Sequence, residues 1–350
     1  MPLSLRIVGQ GIAGSLLAWS ALRRGWNVEI LQAPEQPSSS RVAAGIINPI
    51  TGQRWVKSWR IDELLPVALE LYGELEADLG VRILHRYQLR RFFRGERERR
   101  IAEQKRATGE LAPYVVSADA EGLWIEPAFR VDLAVVVSTL RERWLRDGQL
   151  RFVAQTRDET PGANHRAADI LEDFDGLTIW CRGAAELMSP RFAFAQMSLA
   201  KGEILSVESP AVSSDVILNS GHWLVPTGSG QARVGATYTP FAPENASPGS
   251  PPSSLPELCI TAEARETLAA SGRRFLGSDF RIIGQEVGWR VVTRDKHPVV
   301  GRHPRDPRHG ILNGLGSKGA LLTPYLAHQW CAHLATGAAF DRSVDLGRFV

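Results

Sequence analysis

Three glycines near the start, Gly9, Gly11 and Gly14, have the G-x-G-x-x-G spacing. That spacing lets a backbone bind an anion. Gly9 permits a tight turn, Gly11 lets the chain approach a pyrophosphate, and Gly14 lets a helix pack on the preceding strand. Ile12 and Ala13 then stand at a helix N-terminus, whose free N–H groups and dipole face negative charge. A second stretch in which small residues dominate, Ser38–Gly52, runs Ser38-Ser39-Ser40-Arg41-Val42-Ala43-Ala44-Gly45 and then Ile46-Ile47-Asn48-Pro49-Ile50-Thr51-Gly52. It suits a loop passing close to a flat ligand, with an ordinary turn-rich connection as the alternative. A third set, Gly314-Leu315-Gly316-Ser317-Lys318-Gly319, precedes the last apolar segment.

The elements around the first set are those its chemistry requires. Leu3–Val8 is an apolar run long enough for one buried strand. Ile12–Arg24 has helical spacing at Leu16, Leu17, Trp19 and Leu22, and Gly25 breaks it. Asn27–Leu31 reads as a second buried strand. This β-turn-α-β frame points to a dinucleotide. An acid usually ends the second strand and holds a ribose hydroxyl, but here that place is Gln32. The exchange weakens a nicotinamide reading more than a flavin reading.

The remaining chain continues in the same style. Asp62–Leu79 is an amphipathic helix with Leu64, Leu65, Ala68, Leu71, Tyr72 and Leu75 on one face. Leu84–Phe93 and Leu123–Asp132 read as strands, and Leu133–Arg146 as a helix. Leu150–Gln155 and Gly176–Cys181 read as strands that return to the first lobe. From Met197 the pattern is antiparallel, with strands at Met197–Glu208, Val216–Pro226 and Ala232–Tyr238. Pro240–Pro256 is a Pro- and Ser-rich loop. Thr261–Ser271 is a helix that Thr261 caps. Phe280–Val292 and Gly310–Asn313 are strands, and Ala320–Leu334 is the last helix. The fold class is α/β: a Rossmann-like lobe with an antiparallel-sheet α+β lobe inserted twice. We place the first lobe at 1–80, 130–195 and 286–350, and the second at 81–129 and 196–285.

The 350 residues are 44% hydrophobic and 23% charged, as in a globular enzyme. The net charge of +3 selects no partner. Cys181, Cys259 and Cys331 are widely spaced, so neither a zinc site nor a disulfide framework is expected, and a reducing, cytoplasmic location fits. No signal peptide or membrane-spanning run is apparent. Arg82–Arg106 is rich in arginine with Glu96, Glu98 and Glu103 interspersed. A solvated face explains it better than a nucleic-acid patch does.

In this order the pieces resemble the D-amino acid oxidase family of FAD-dependent oxidoreductases over nearly the whole chain. The anchors are Gly9–Gly14, Ser38–Gly45, Trp180-Cys181-Arg182-Gly183-Ala184, Lys201-Gly202-Glu203, and the block from Arg290 through Thr293, Asp295, Pro298 and Gly301 to Gly314–Gly319. The C-terminal block is most similar to the FAD domain of the bifunctional enzyme of tRNA methylaminomethyl-uridine synthesis. That enzyme's methyltransferase domain has no counterpart in this sequence. Glycine and sarcosine oxidases are the other near comparisons.

The resemblance implies oxidation of the C–N bond of a primary or secondary amine, an amino acid or N-alkyl glycine, by hydride transfer to non-covalent FAD. A tRNA carboxymethylaminomethyl side-chain oxidase and a nicotinamide-dependent dehydrogenase are the alternatives, and tRNA is not favoured as a partner. The resemblance assigns the cofactor to Gly9, Gly11, Ile12, Ala13, Gly14, Gln32, Arg41, Ala43, Ala44, Gly45, Gly183, Gly314, Gly316, Ser317, Lys318 and Gly319. It assigns substrate chemistry to Arg290, Lys318 and Trp223. Arg290 would hold a carboxylate as a planar fork, a structural ion pair being the alternative. Lys318 would add charge at the flavin N1–O2 edge if it turns inward, and a solvent-facing loop lysine is the alternative. Trp223 replaces a tyrosine and keeps an apolar wall, which argues against a plain D-amino acid. His222 beside it reads as structural. Family members that bind flavin covalently use a histidine where Val42 stands, or a cysteine where Arg290 stands.

Overall fold

The computed structural model describes residues 3–34, 38–153, 174–241 and 255–350. Strand β1 (Ser4–Val8), helix α1 (Ile12–Leu22) and strand β2 (Asn27–Gln32) form the expected opening unit. The strands are parallel, with Leu5 opposite Val28 and Val8 opposite Leu31. Helix α1 is buried from Ile12 through Ala21, so it shows no polar face in its sequence.

A short helix α2 (Ser39–Val42) and strands β3 (Ile46–Ile47), β4 (Ile50–Thr51) and β5 (Val56–Lys57) follow. Helix α3 (Ile61–Leu79) buries Leu64, Leu65, Ala68, Tyr72 and Leu75. Then come β6 (Leu84–Phe92), α4 (Glu96–Ala107), β7 (Val115–Ala118), β8 (Gly122–Val131), α5 (Leu133–Arg146), β9 (Leu150–Phe152) and β10 (Leu177–Trp180). The end of the expected strand Leu150–Gln155 lies outside the described residues, as does most of the Pro- and Ser-rich loop.

The antiparallel part comprises β11 (Met197–Glu208), β12 (Val216–Ser220), β13 (His222–Gly228), β14 (Gln231–Gly235) and β15 (Thr239–Phe241). Helix α6 (Ala262–Leu276) starts where Thr261 accepts a hydrogen bond from Ala264 N at 3.2 Å. The chain ends with β16 (Arg281–Thr293), β17 (Val299–Arg302), β18 (His309–Asn313) and α7 (Gly319–Thr336). One sheet has the order β17-β18-β10-β1-β2-β9, and only β17 is antiparallel to its neighbour. The other runs β15-β11-β14-β13-β12-β6-β8-β3, with β16 on β11 and β7 on β8. Helices α7 and α5 pack on α1 over the first sheet.

One detail departs from the expected elements. Val216–Pro226 is two strands, because Gly221 at φ +84° closes a tight hairpin in which Ser220 pairs with His222. Strand β16 agrees with the expected strand Phe280–Val292 and pairs along β11 with one register irregularity. The arginine-rich segment is a solvated face laced with ion pairs. Arg94 pairs with Glu98, Arg99 with Glu103 and Lys105 with Glu110, while Arg90 reaches Asp119 and Glu121. No helix among the described residues is long and apolar enough to cross a membrane.

Candidate active site

The three fingerprint glycines meet different surroundings. A Cβ on Gly14 would lie 1.9 Å from Gly9 O, and one on Gly9, at φ +104°, would lie 2.5 Å from Cys181 O. Both are therefore demanded by the packing of the fold itself. A Cβ on Gly11 would meet only Ser40 Oγ, at 3.3 Å, and Gly11 faces a cleft. Ile12 N–H, in the first turn of α1, donates to Ser40 Oγ at 2.9 Å.

Gln32 is committed within the protein. Its Oε1 accepts from Gln10 N at 2.6 Å and its Nε2 donates to Ala33 O at 2.9 Å. Gln10 is tied in turn to Arg141 Nε at 2.7 Å. The amide thus fixes the turn, while Gln32 still lines the cleft. Arg41 is exposed and lies off the cleft wall, because α2 presents its opposite side to β16.

The cleft has a volume of about 500 Å³, within the range of small-molecule and cofactor sites. One wall is the Ser38–Gly45 loop. Ala43, Ala44 and Gly45 line it. Gly45 sits at φ +69° with its Cβ position 1.9 Å from Val131 O, so only glycine lets the loop lie against β8. Ser39 Oγ donates to Trp289 O, tying the loop to β16. The opposite wall is the start of α7. Gly316, Ser317, Lys318 and Gly319 line it, and Gly316 N–H donates to Val291 O at 2.9 Å. Gly183 lines the cleft near Asn313, whose Nδ2 donates to Gly183 O at 3.0 Å. Gly314, at φ +72°, forms the turn behind this wall without lining it. Lys318 is half-buried at the N-cap of α7, and burial lowers its ammonium below the ordinary lysine value. It has no carboxylate partner among the described residues.

At the other end, Arg290 Nη1 donates to Thr237 O at 3.0 Å and to Lys201 O at 3.5 Å. Its Nη2 and Nε have no acceptor among the described residues, and no described carboxylate pairs with it. That sets aside the structural ion pair among them. The guanidinium lies flat on Gly202, where a Cβ would stand 2.2 Å from Nη1. Tyr238 stands beside it, with Arg290 Cζ 5.7 Å from the ring centre. Burial lowers the guanidinium's pKa and Tyr238 opposes the shift. Trp223 forms an apolar wall, its indole laid against Gly235, whose Cβ position would be 2.7 Å away. His222 binds Ser271 Oγ at 2.7 Å and lies outside the cleft.

The charged residues that line the cleft are Arg182, Arg290 and Lys318; no Asp, Glu or His lines it among the described residues. Arg182 is paired with Glu186 at 2.9 Å. Asn48 and Thr51, which also line the cleft, lie in the stretch Ser38–Gly52 that the sequence singles out, although neither was assigned a site role; Ser58 and Asn219, which line it too, were missed. Ser58 and Asn219 arrive through tertiary folding alone.

Residues 5–334 match the DAO family of FAD dependent oxidoreductases. The chain belongs to this family. Its fold is shared by glycine oxidase from Geobacillus kaustophilus, with a TM-score of 0.73 and 19% identity over 99% of this chain and 97% of that one. Iminodiacetate oxidase from Chelativorans sp. BNC1 gives a TM-score of 0.69 at 19% identity, over 97% and 98% of the two chains. L-Proline dehydrogenase from P. horikoshii gives 0.67 at 13%, over 99% and 98%. The family's cofactor is FAD, which replaces the nicotinamide alternative. The cleft fits it: an open Gly11, two helix N-termini, and a wall of Ala43, Ala44 and Gly45 that admits a flat ring system.

The residues also predict how the flavin is held. By the resemblance, Val42 and Arg290 would stand where covalent members carry a histidine or a cysteine, and neither side chain can form such a link. Cys181 lines the cleft but is buried, and burial together with Glu186 raises its thiol pKa, so it stays protonated and unreactive. Cys331 is buried inside α7, away from the cleft wall. Acid precipitation is therefore expected to release FAD into the supernatant. Yellow colour retained by the precipitate would show a covalent link.

Proposed function

We propose that this oxidoreductase oxidises the C–N bond of a carboxylate-bearing primary or secondary amine. One observation carries the reading: the guanidinium of Arg290 presents an unshared edge to a cleft whose charged lining residues are all cations. A planar fork with two free donors suits a carboxylate. Bound FAD supplies the two-electron acceptor. Gly9–Gly14 and the first turn of α1 hold its pyrophosphate, and the start of α7 with Lys318 sets positive potential at the cleft floor. Trp223, Ile204 and Ile217 exclude water around the substrate carbon. No described lining side chain can take a proton from the amine, and both free cations disfavour an ammonium, so the amine reacts as its free base.

A tRNA side chain is not supported as substrate, because the arginines of 82–106 that would meet phosphates are largely engaged with acids. We also propose that the lobes follow the two sheets, and that the protein works in the cytoplasm, since all three cysteines are free. Anaerobic mixing with N-ethylglycine is expected to bleach the flavin. Retention of full colour with N-alkyl glycines and amino acids alike would overturn the amine reading.

A further inference from the structure

Asn219 stands in register with Arg91 on β6, and Ile217 with Leu89. Side chains opposite one another in a parallel pair share a sheet face. Ile217, Leu89 and Asn219 all line the cleft. Arg91 is buried beneath them, and its guanidinium donates to Ile50 O at 3.1 Å and Gly52 O at 2.5 Å. That clamp carries the Asn48–Thr51 loop to the same wall as Asn219, and it leaves Arg91 no role as a counter-ion in the cleft.

The hydrogen bonds of this wall settle what it offers a ligand. Ser58 Oγ donates its one proton to Asn48 O at 2.7 Å. The 3.2 Å contact between Thr51 Oγ1 and Ser58 Oγ must then be donated by Thr51, which keeps acceptor lone pairs only. Asn48 Oδ1 accepts from Ile50 N at 3.0 Å, which fixes the amide's orientation and leaves Nδ2 as a donor. The side-chain amide of Asn219 has no partner among the described residues. Donors and an acceptor therefore face one space that no lining acid shares, and the Arg91 guanidinium beneath it is already held by Ile50 O and Gly52 O.

We propose that Asn48, Thr51 and Asn219 form a neutral subsite that binds a hydroxyl group on the nitrogen substituent of the substrate. A hydroxyl both donates and accepts, as this wall requires. An ammonium group would find no acid here, and a second carboxylate only a guanidinium already spent on two backbone carbonyls, so either would be desolvated at a cost. The inference rests on the amine reading above and adds the class of substituent.

Two ethers that cannot be oxidised as amines test it on the holoenzyme. Ethoxyacetate and (2-hydroxyethoxy)acetate differ by one hydroxyl, and each perturbs the flavin spectrum when bound. The hydroxylated ether is expected to bind about tenfold more tightly. In Asn219→Leu and in Thr51→Val the ratio is expected to fall below about threefold, with FAD content measured alongside. If Asn219→Leu gives no holoprotein, Thr51→Val carries the comparison. Equal affinities in the wild type overturn the subsite, as does a ratio that both variants leave unchanged. Silence of both ethers in a protein that N-ethylglycine bleaches overturns it too. If N-ethylglycine and the amino acids also fail to bleach, the amine reading falls and takes the subsite with it.

Discussion

Gly11→Val is expected to give a folded but colourless protein. The backbone at Gly11 has φ −83°, which any residue adopts, and a Cβ there would meet only Ser40 Oγ, at 3.3 Å. The fold therefore loses little. The methyl groups instead project into the space where the pyrophosphate approaches α1. Losing two charge-assisted hydrogen bonds to that group costs about 3–6 kcal/mol, or roughly 10²- to 10⁴-fold in FAD affinity. Visible absorbance, with circular dichroism as the folding check, reads the result. Gly14→Ala provides the contrast, because its Cβ would fall 1.9 Å from Gly9 O and the fold itself would give way. A yellow Gly11→Val protein would remove the fingerprint from the cofactor site.

Arg290→Met is expected to keep the flavin and lose the substrate. Methionine keeps much of the apolar stem but removes the fork. Breaking a buried charge-assisted contact costs about 2–5 kcal/mol, so kcat/KM for an amine bearing a carboxylate should fall by roughly 30- to 5,000-fold. Gly202→Ala should act in the same direction without touching the charge. Its Cβ would occupy the space of the guanidinium, at 2.2 Å from Nη1, and would lever Arg290 away from Thr237 O. Steady-state kinetics with FAD content normalised distinguishes these outcomes. Unchanged kinetics in Arg290→Met would show that the carboxylate is held elsewhere.

Much of the cofactor lobe was legible because its determinants are local. The turn at Gly9–Gly14 needs its glycines for contacts within one β-turn-α unit, and the apolar runs on either side have lengths only strands and a buried helix explain. Met197–Glu208 forms a strand as expected, and Thr261 caps the helix that follows it. The Val216–Pro226 hairpin was missed because one glycine at positive φ can divide an apolar run without changing its composition.

The cleft is different, because its chemistry depends on which residues are already committed elsewhere. Gln32 lines the cleft, yet its oxygen already accepts from Gln10 and one of its amide hydrogens is given to Ala33. Arg91 and Arg290 are both arginines on strands. Arg91 is buried on two backbone carbonyls, while Arg290 keeps a free edge toward the cleft. Asn48 and Asn219 lie far apart in the chain and line one cleft because β12 pairs with β6, whose Arg91 clamps the distant loop. Residue type and spacing determined the glycine turn of the opening β-turn-α-β unit and the family. Only the tertiary structure decided which polar groups remain free for a ligand, since a hydrogen bond made inside the protein is one that the substrate cannot use.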